Sequence, residues 1–241
     1  MDPFSPKIVS INDLVDLANK NNYTYFTNYF KEEDIKKEQF RIPINYLGIE
    51  LKDKVILDIG PGTGDSLLVA KEMGANKIMA IDNNPYFAKL QMLRGFHTYF
   101  RNYTRKDLYT KRYFPIELTG VDFIWSKGAM NGPQINKDQN SLKGKIRNMF
   151  KMFDFGNWVD EVLSLLNPKG QFLFMPAPSQ QAQYIDDPNY PIHTDYWVPD
   201  VEIFDNGYFA KILMSRGFKQ IKGIQKYNHP KAFPTAYLFK A

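Results

Sequence analysis

Three glycines in the run DIGPGTGDS, Gly60, Gly62 and Gly64, are bracketed by Asp58 and Asp65, and Asp82 follows at the end of the next apolar run. Glycines so spaced let a backbone turn tightly and come close to a ligand, because no Cβ stands in the way. A single acidic residue at the end of the second apolar run completes the outline. The chemistry this set supports is the holding of a nucleotide-like molecule at the first turn of a βαβ unit. The spacing sorts the ligands. A dinucleotide fingerprint, G-x-G-x-x-G, requires a third glycine where Asp65 stands, and a carboxylate there would repel a pyrophosphate. A P-loop requires a Lys-Ser/Thr pair after the turn, and none follows. The turn favours a ligand without phosphates.

These residues need elements to position them. Val55 to Ile59 reads as the first strand, Thr63 to Met73 as its helix, stopped by Gly74, and Lys77 to Ile81 as the second strand. Pro85 to Leu93 is a helix with proline at its favoured first turn. Phe96–Phe100 and Val121–Trp125 read as strands three and four. A helical region covers Leu142 to Leu166, open to interruption at Gly156. NPKG then turns into a fifth strand, Gln171–Met175. A helix over Tyr208–Ser215 and two closing strands, in GFKQIKGIQKY and TAYLFK, complete the order. Alternating strands and helices predict an α/β fold: a Rossmann-like, mostly parallel seven-stranded sheet with helices on both faces. Residues 1–50, with a capping-box pattern at Ser10 and Asp13 and an aromatic cluster over 23–30, read as an N-terminal helical cap. The main domain spans 51–241. Its segment 176–206, rich in proline and aromatic residues and too long for an ordinary connection, reads as an insert after the fifth strand.

Composition narrows the class further. The chain has 241 residues, 44% of them hydrophobic, which suits one α/β domain with an appended cap and rules out disorder. No apolar run is long enough to span a bilayer, and the N-terminus lacks the regions of a signal peptide, so a soluble, cytoplasmic protein without membrane contact is expected. There is no cysteine, which excludes disulfides, thiolate metal sites and a catalytic thiol. His97, His193 and His229 are not at metal-binding spacing, so no protein metal site is expected. The net charge of +5 is uneven: residues 176–206 hold six carboxylates (Asp186, Asp187, Asp195, Asp200, Glu202, Asp205) and no Lys or Arg.

On VILDIGPGTG as a first motif and IMAIDNN as a second, the sequence resembles the class I S-adenosylmethionine (SAM)-dependent methyltransferase superfamily, over roughly Leu51 to Lys240. SAM carries a sulfonium, an amino-acid end and an adenosine but no phosphate, so it suits the turn. The resemblance implies SAM as cofactor and a role for each matching residue. Asp58 lies near the methionine amino group. Gly60, Gly62 and Gly64 admit the methionine and ribose portions, Asp82 accepts from both ribose hydroxyls, and Asn83 flanks the adenine. Asn102 recognises the adenine amino group, and Ser126 faces cofactor and substrate. Each has a plainer alternative: Asp58 can cap the following helix, and Asp82 can be a solvated strand end. DPNY at Asp187–Tyr190 resembles the motif of amino-methyltransferases of DNA bases, but it follows the fifth strand instead of the fourth and reads as a turn.

Methyl transfer is an in-line displacement at carbon, and orientation with exclusion of water supplies much of its rate, so no catalytic pair is required. His193 is the candidate general base, with Asp195 to orient it, and the same histidine can equally be structural. Tyr25, Tyr29, Trp125, Tyr190, Tyr196 and Trp197 can wall a substrate or pack the cap onto the sheet. Lys127 can bind an anionic group of the substrate or solvate its loop. The acidic insert favours a small neutral or cationic acceptor with an oxygen or nitrogen nucleophile. Arg101, Arg105, Lys106, Lys111, Arg112 and the Lys143–Lys151 group favour the alternative, an RNA methyltransferase. A SAM-binding regulatory or scaffolding protein without catalysis is a third reading.

Overall fold

The computed structural model describes residues 33–127, 155–175, 208–221 and 236–241, with four further helical positions, Asn12, Asp16, Asn19 and Lys20. The capping box at Ser10, the aromatic cluster over 23–30, the first part of the Leu142–Leu166 region and the insert 176–206 lie outside the described residues. The chain forms two compact units, Met1–Arg101 and Asn102–Ala241.

In the first unit, helix α1 (Glu33–Tyr46) opens on Glu33 and Asp34, charges that suit the positive end of a helix dipole. Strands β1 (Val55–Ile59), β2 (Lys77–Asp82) and β3 (His97–Phe100) pair in parallel, with β2 between the other two. Asp58 stands opposite Ala80, and Asp82 opposite Phe100. Parallel strands are covered on both faces, which is why β1 and β2 read as nearly unbroken apolar runs. Leu57, Ile59, Ala80 and Ile81 are fully buried. Helix α2 (Asp65–Glu72) is shorter at both ends than its periodicity suggests. Gly64 (φ 86°) is still in the turn before it, and Gly74 (φ 81°) closes the chain after it. Helix α3 (Pro85–Leu93) has its expected bounds: the Asn84 side chain accepts from the Tyr86 N–H at 2.9 Å, and Pro85 supplies a φ already suited to the first turn.

In the second unit, β4 (Val121–Lys127) pairs in parallel with β5 (Leu166–Met175), and β5 pairs antiparallel with β7 (Ala236–Lys240), which pairs antiparallel with β6 (Lys219–Ile221). Helices α4 (Phe155–Ser164) and α5 (Tyr208–Ser215) belong to it; Gly156 is the second residue of α4, and the part of the Leu142–Leu166 region before Phe155 lies outside the described residues. One expectation is corrected. NPKG is not a turn before the fifth strand but an irregularity within β5: Val121 pairs with Leu166 and Phe123 with Gln171, so the intervening residues are out of register. Lys169 there takes φ 70°, and a Cβ at Gly170 would lie 2.8 Å from the Asn167 carbonyl oxygen. The core of this unit is aromatic. Trp158 packs against Phe114, Phe155, Phe172 and Phe174 with centroids 5.8 to 6.3 Å apart. The strand pairing is thus mostly parallel in an α/β fold. Among the described residues no helix is long and apolar enough to cross a membrane.

Candidate functional site

The carboxyl ends of parallel strands are where open α/β sheets bind ligands, and the first unit gathers its polar residues there. Gly60 (φ 72°), Gly62 (φ 58°) and Gly64 (φ 86°) all hold left-handed backbone, which L side chains rarely adopt. The Gly60 N–H donates to the Ile81 carbonyl at 2.8 Å and ties the turn to β2. The glycines differ in what surrounds them. A Cβ at Gly62 would meet nothing within 4 Å, so this part of the turn borders open space. A Cβ at Gly64 would meet Gln91 Cγ and Leu67 Cδ1 at 3.5 Å and Arg94 Cδ at 3.9 Å. Gly62 thus fits the close-approach role, while Gly64 is demanded by its φ and faces α3.

Asp58 and Asp82 are both buried. Asp58 Oδ2 accepts from the Ser66 hydroxyl, which puts a carboxylate at the first turn of α2. Helix capping and ligand binding are therefore both open to Asp58. Asp82 Oδ1 accepts from the Asn84 N–H at 2.9 Å, and Oδ2 from Gln91 Nε2 at 3.0 Å. Burial pushes the Asp82 carboxyl above the usual carboxylate range. The Asn84 N–H, the Gln91 amide and the backbone N–H groups of Gly62 and Asn83 act in the opposite direction. Asp82 is no solvated strand end: a carboxylate kept in low dielectric gains strongly from added donors. Asn83 follows it directly, next to the Asn84 cap.

Asp65 requires a correction. It does not stand as an uncompensated charge facing the turn. Thr63 Oγ1 donates to it, and Arg94 Nη1 lies 3.4 Å away while Nη2 reaches Glu33 at 3.0 Å. Burial pushes the Asp65 carboxyl up, and Arg94, Thr63 and Lys36 oppose that. The case against a pyrophosphate therefore moves to Asp58, whose carboxylate already sits where a phosphate would seek the α2 N-terminus.

Gln91 is the functional candidate that sequence reasoning missed. Fully buried, its Nε2 spans the Gly62 carbonyl (2.7 Å) and Asp82 Oδ2, so one amide group fixes the glycine turn relative to the carboxylate. The signal was present: a lone polar side chain, three residues after Ala88, on the face of α3 that the helical period buries. Gln91→Met keeps the volume and removes the donor. It should weaken a ligand held by Asp82 about tenfold at neutral pH. It should also raise the pH below which affinity fades, because Asp82 loses a group favouring its ionised form. Affinity measured against pH in both proteins checks this.

Of the remaining predicted site residues, Asn102 turns its Oδ1 to the Thr104 N–H (3.0 Å) and hydroxyl (2.7 Å), so the acceptor that adenine recognition needs is engaged locally. Ser126, near the end of β4, is fully buried, and its hydroxyl has no hydrogen-bond partner among the described residues. Trp125 is buried and tilts against Phe123 at 6.2 Å, a core position and not an open wall. Lys127 ends β4 half-buried. Asn102, Trp125, Ser126 and Lys127 belong to the second unit, whereas Asp58, the glycines, Asp82 and Asn83 come together in the first. Tyr25, Tyr29, Tyr190, His193, Asp195, Tyr196 and Trp197 lie outside the described residues.

No protein-family model matches the sequence, and no curated protein sequence matches it significantly. Solved structures do resemble it. A candidate SAM-dependent methyltransferase from Methanococcus maripaludis aligns over 97% of this chain and 94% of its own, at 13% identity and a TM-score of 0.51. A SAM-dependent methyltransferase from Mesorhizobium loti aligns over 85% and 98%, at 13% identity and a TM-score of 0.50. A candidate methyltransferase from Haloferax volcanii, solved with the Trm112 methyltransferase activator, aligns over 95% and 96%, at 11% identity and 0.51.

Proposed function

From the premise that the chain has the fold of SAM-dependent methyltransferases, we propose that it binds SAM and transfers the methyl group to an acceptor. The observation that carries this is the Gly62–Gln91–Asp82 arrangement. An open-sided turn and a buried carboxylate are locked together by one amide group at the carboxyl ends of β1 and β2. In this reading Asp82 receives the ribose hydroxyls, Asn83 flanks the adenine, and Asp58 attracts the methionine ammonium from the start of α2. Gly60 and Gly64 shape the turn. Asn102 would release Thr104 to take the adenine amino group, and the unpartnered Ser126 hydroxyl would find its partner in the ligand. One mostly parallel seven-stranded sheet, with residues 1–50 as its cap, is the fold that goes with this reading. SAM supplies an electrophilic methyl on sulfur; the residues named here bind, orient and exclude water.

For the acceptor, the six carboxylates of 176–206 favour a small neutral or cationic molecule, with His193 as base, Asp195 behind it, and Tyr25, Tyr29, Tyr190, Tyr196 and Lys127 around it. RNA is the second reading, favoured by the exposed Arg105, Lys106 and Lys111 of the second unit. The cytoplasm is the expected setting for either. Calorimetric titration with S-adenosylhomocysteine, with NAD as the control, tests the cofactor. Micromolar binding of the homocysteine compound alone is the expected result. Binding of NAD alone would overturn the reading and make Asp58 the residue misjudged.

A further inference from the structure

The segment between β3 and β4 is built around buried anchors. Tyr103, Tyr113, Phe114 and Leu118 are buried. Trp158 Nε1 donates to the Tyr103 carbonyl at 3.0 Å, and the Glu161 carboxylate accepts from the backbone N–H groups of Tyr113 (3.0 Å) and Phe114 (2.9 Å) and from Arg112 Nε (3.2 Å). Between these anchors a tight tip projects. Asp107 Oδ1 accepts from the Tyr109 and Thr110 N–H groups at 2.9 and 2.8 Å, the Asp107 N–H donates to the Arg112 carbonyl at 2.8 Å, and the Lys111 N–H returns to the Asp107 carbonyl at 3.0 Å. Lys111 holds φ 57° to close it.

These bonds hold the turn, and its two most exposed large side chains are Leu108 at 79% and Tyr109 at 93%. Exposed cations flank them at Arg105, Lys106 and Lys111, and Lys106 Nζ lies 5.2 Å from the Tyr113 ring centroid. A planar ring held out on a rigid turn between cations matches one ligand chemistry closely. A base can stack on the ring while the adjoining phosphates meet the cations. A duplex keeps its base faces covered, so only an unpaired strand offers both. An acidic peptide would satisfy the cations and leave the ring without a planar partner.

We infer that the Arg105–Lys111 tip binds single-stranded nucleic acid, with Tyr109 stacking on a base, Leu108 packing beside it, and Arg105 and Lys111 on the flanking phosphates. The inference does not rest on methyl transfer, and a strand bound there would shift the acceptor reading towards RNA. The test is fluorescence anisotropy of a labelled oligouridylate about twelve nucleotides long, without cofactor. The same length of duplex RNA and a polyglutamate peptide are the comparisons. At low salt the oligouridylate is expected to bind with micromolar affinity, ahead of both comparisons. Tyr109→Ala should weaken it about 5- to 100-fold. Arg105→Ala with Lys111→Ala should make the negative slope of log affinity against log salt shallower by about 1.4, the loss of two single-strand phosphate contacts. No binding at low salt, binding unchanged in Tyr109→Ala, or tighter binding of polyglutamate would each overturn the inference. All three substitutions are at exposed positions, and an unchanged melting temperature and circular dichroism spectrum would show the variants folded.

Discussion

Asp82→Ala is expected to weaken S-adenosylhomocysteine binding about a thousandfold. In the proposed role, two ribose hydroxyls donating to one buried carboxylate would contribute roughly 1.5–3 kcal/mol each, and the truncation also leaves Gln91 Nε2 and the Asn84 N–H facing a void. The pH dependence has a definite sign. Burial holds the Asp82 carboxyl above its ordinary range, and hydroxyl donors favour the ionised form, so binding releases a proton wherever the free carboxyl is protonated, at and below that raised value. Affinity should be level near neutrality and fall as pH drops through the raised value, about tenfold per pH unit below it. Calorimetry in buffers of different ionisation enthalpy reads the released proton directly. Stability runs the other way. Asp82 and Asp65 hold protons more tightly folded than unfolded, so their contribution declines as pH rises from the unfolded value through the folded one. Asp82→Asn should therefore lose affinity while keeping or slightly raising the neutral-pH melting temperature. A parallel loss of both would mark Asp82 as structural. Once an acceptor is known, turnover that survives Asp82→Ala unchanged would remove Asp82 from the cofactor site, and a wild type that binds without any turnover would favour the scaffolding reading.

Trp158→Ala should cost about 4–5 kcal/mol, the largest effect expected of any single truncation among the described residues of the second unit. The indole is fully buried, stacks on Phe155 at an interplanar angle of 14°, and meets Phe114, Phe172 and Phe174 as well. Cavity formation around a large aromatic costs about 3–5 kcal/mol. The Tyr103 carbonyl would also lose its donor at a buried site, adding about 1 kcal/mol or more. Against a total of about 5–15 kcal/mol for a whole domain, that is roughly a third of the stability or more. Urea unfolding followed by circular dichroism checks this. Trp158→Phe, which keeps a ring and loses the N–H, should lose less than half as much; an equal loss in both would shift the weight from packing to the hydrogen bond.

What the sequence revealed followed from local rules. The bounds of β1, α3 and α5 could be read because each is set within the segment itself: an apolar run, an Asn-Pro start, a helical period. The glycine turn was legible for the same reason, since three glycines in alternation announce left-handed backbone. Residues whose meaning depends on distant partners were not. Asp65 read as a charge on the ligand side because Arg94 and Glu33, distant in sequence and adjacent in the fold, were invisible in one dimension. Gln91 looked like one more polar residue in a helix, and only the return of α3 beneath the turn brings it to Gly62 and Asp82. The start of β5 escaped because NPKG satisfies turn chemistry wherever it stands. Pairing with β4 decides that it interrupts the strand and does not precede it.

Helix α1 is fastened to α2 and α3 by charge. Lys37 bridges Glu33 and Glu72, Arg41 reaches Glu72, and Glu33 completes the pairing of Arg94 with Asp65. This has a practical consequence for where the polypeptide can be cut. A fragment begun at Leu51, where the main domain starts on paper, would discard Glu33. Arg94 would then keep only Asp65, in a setting with little water to screen either. Exposed ionic contacts also loosen as ions are added, over a Debye length that falls from about 10 Å at 0.1 M to about 3 Å at 1 M salt. Purification in high salt therefore acts on the same joint as a truncation, and a shortened chain is better begun ahead of Glu33.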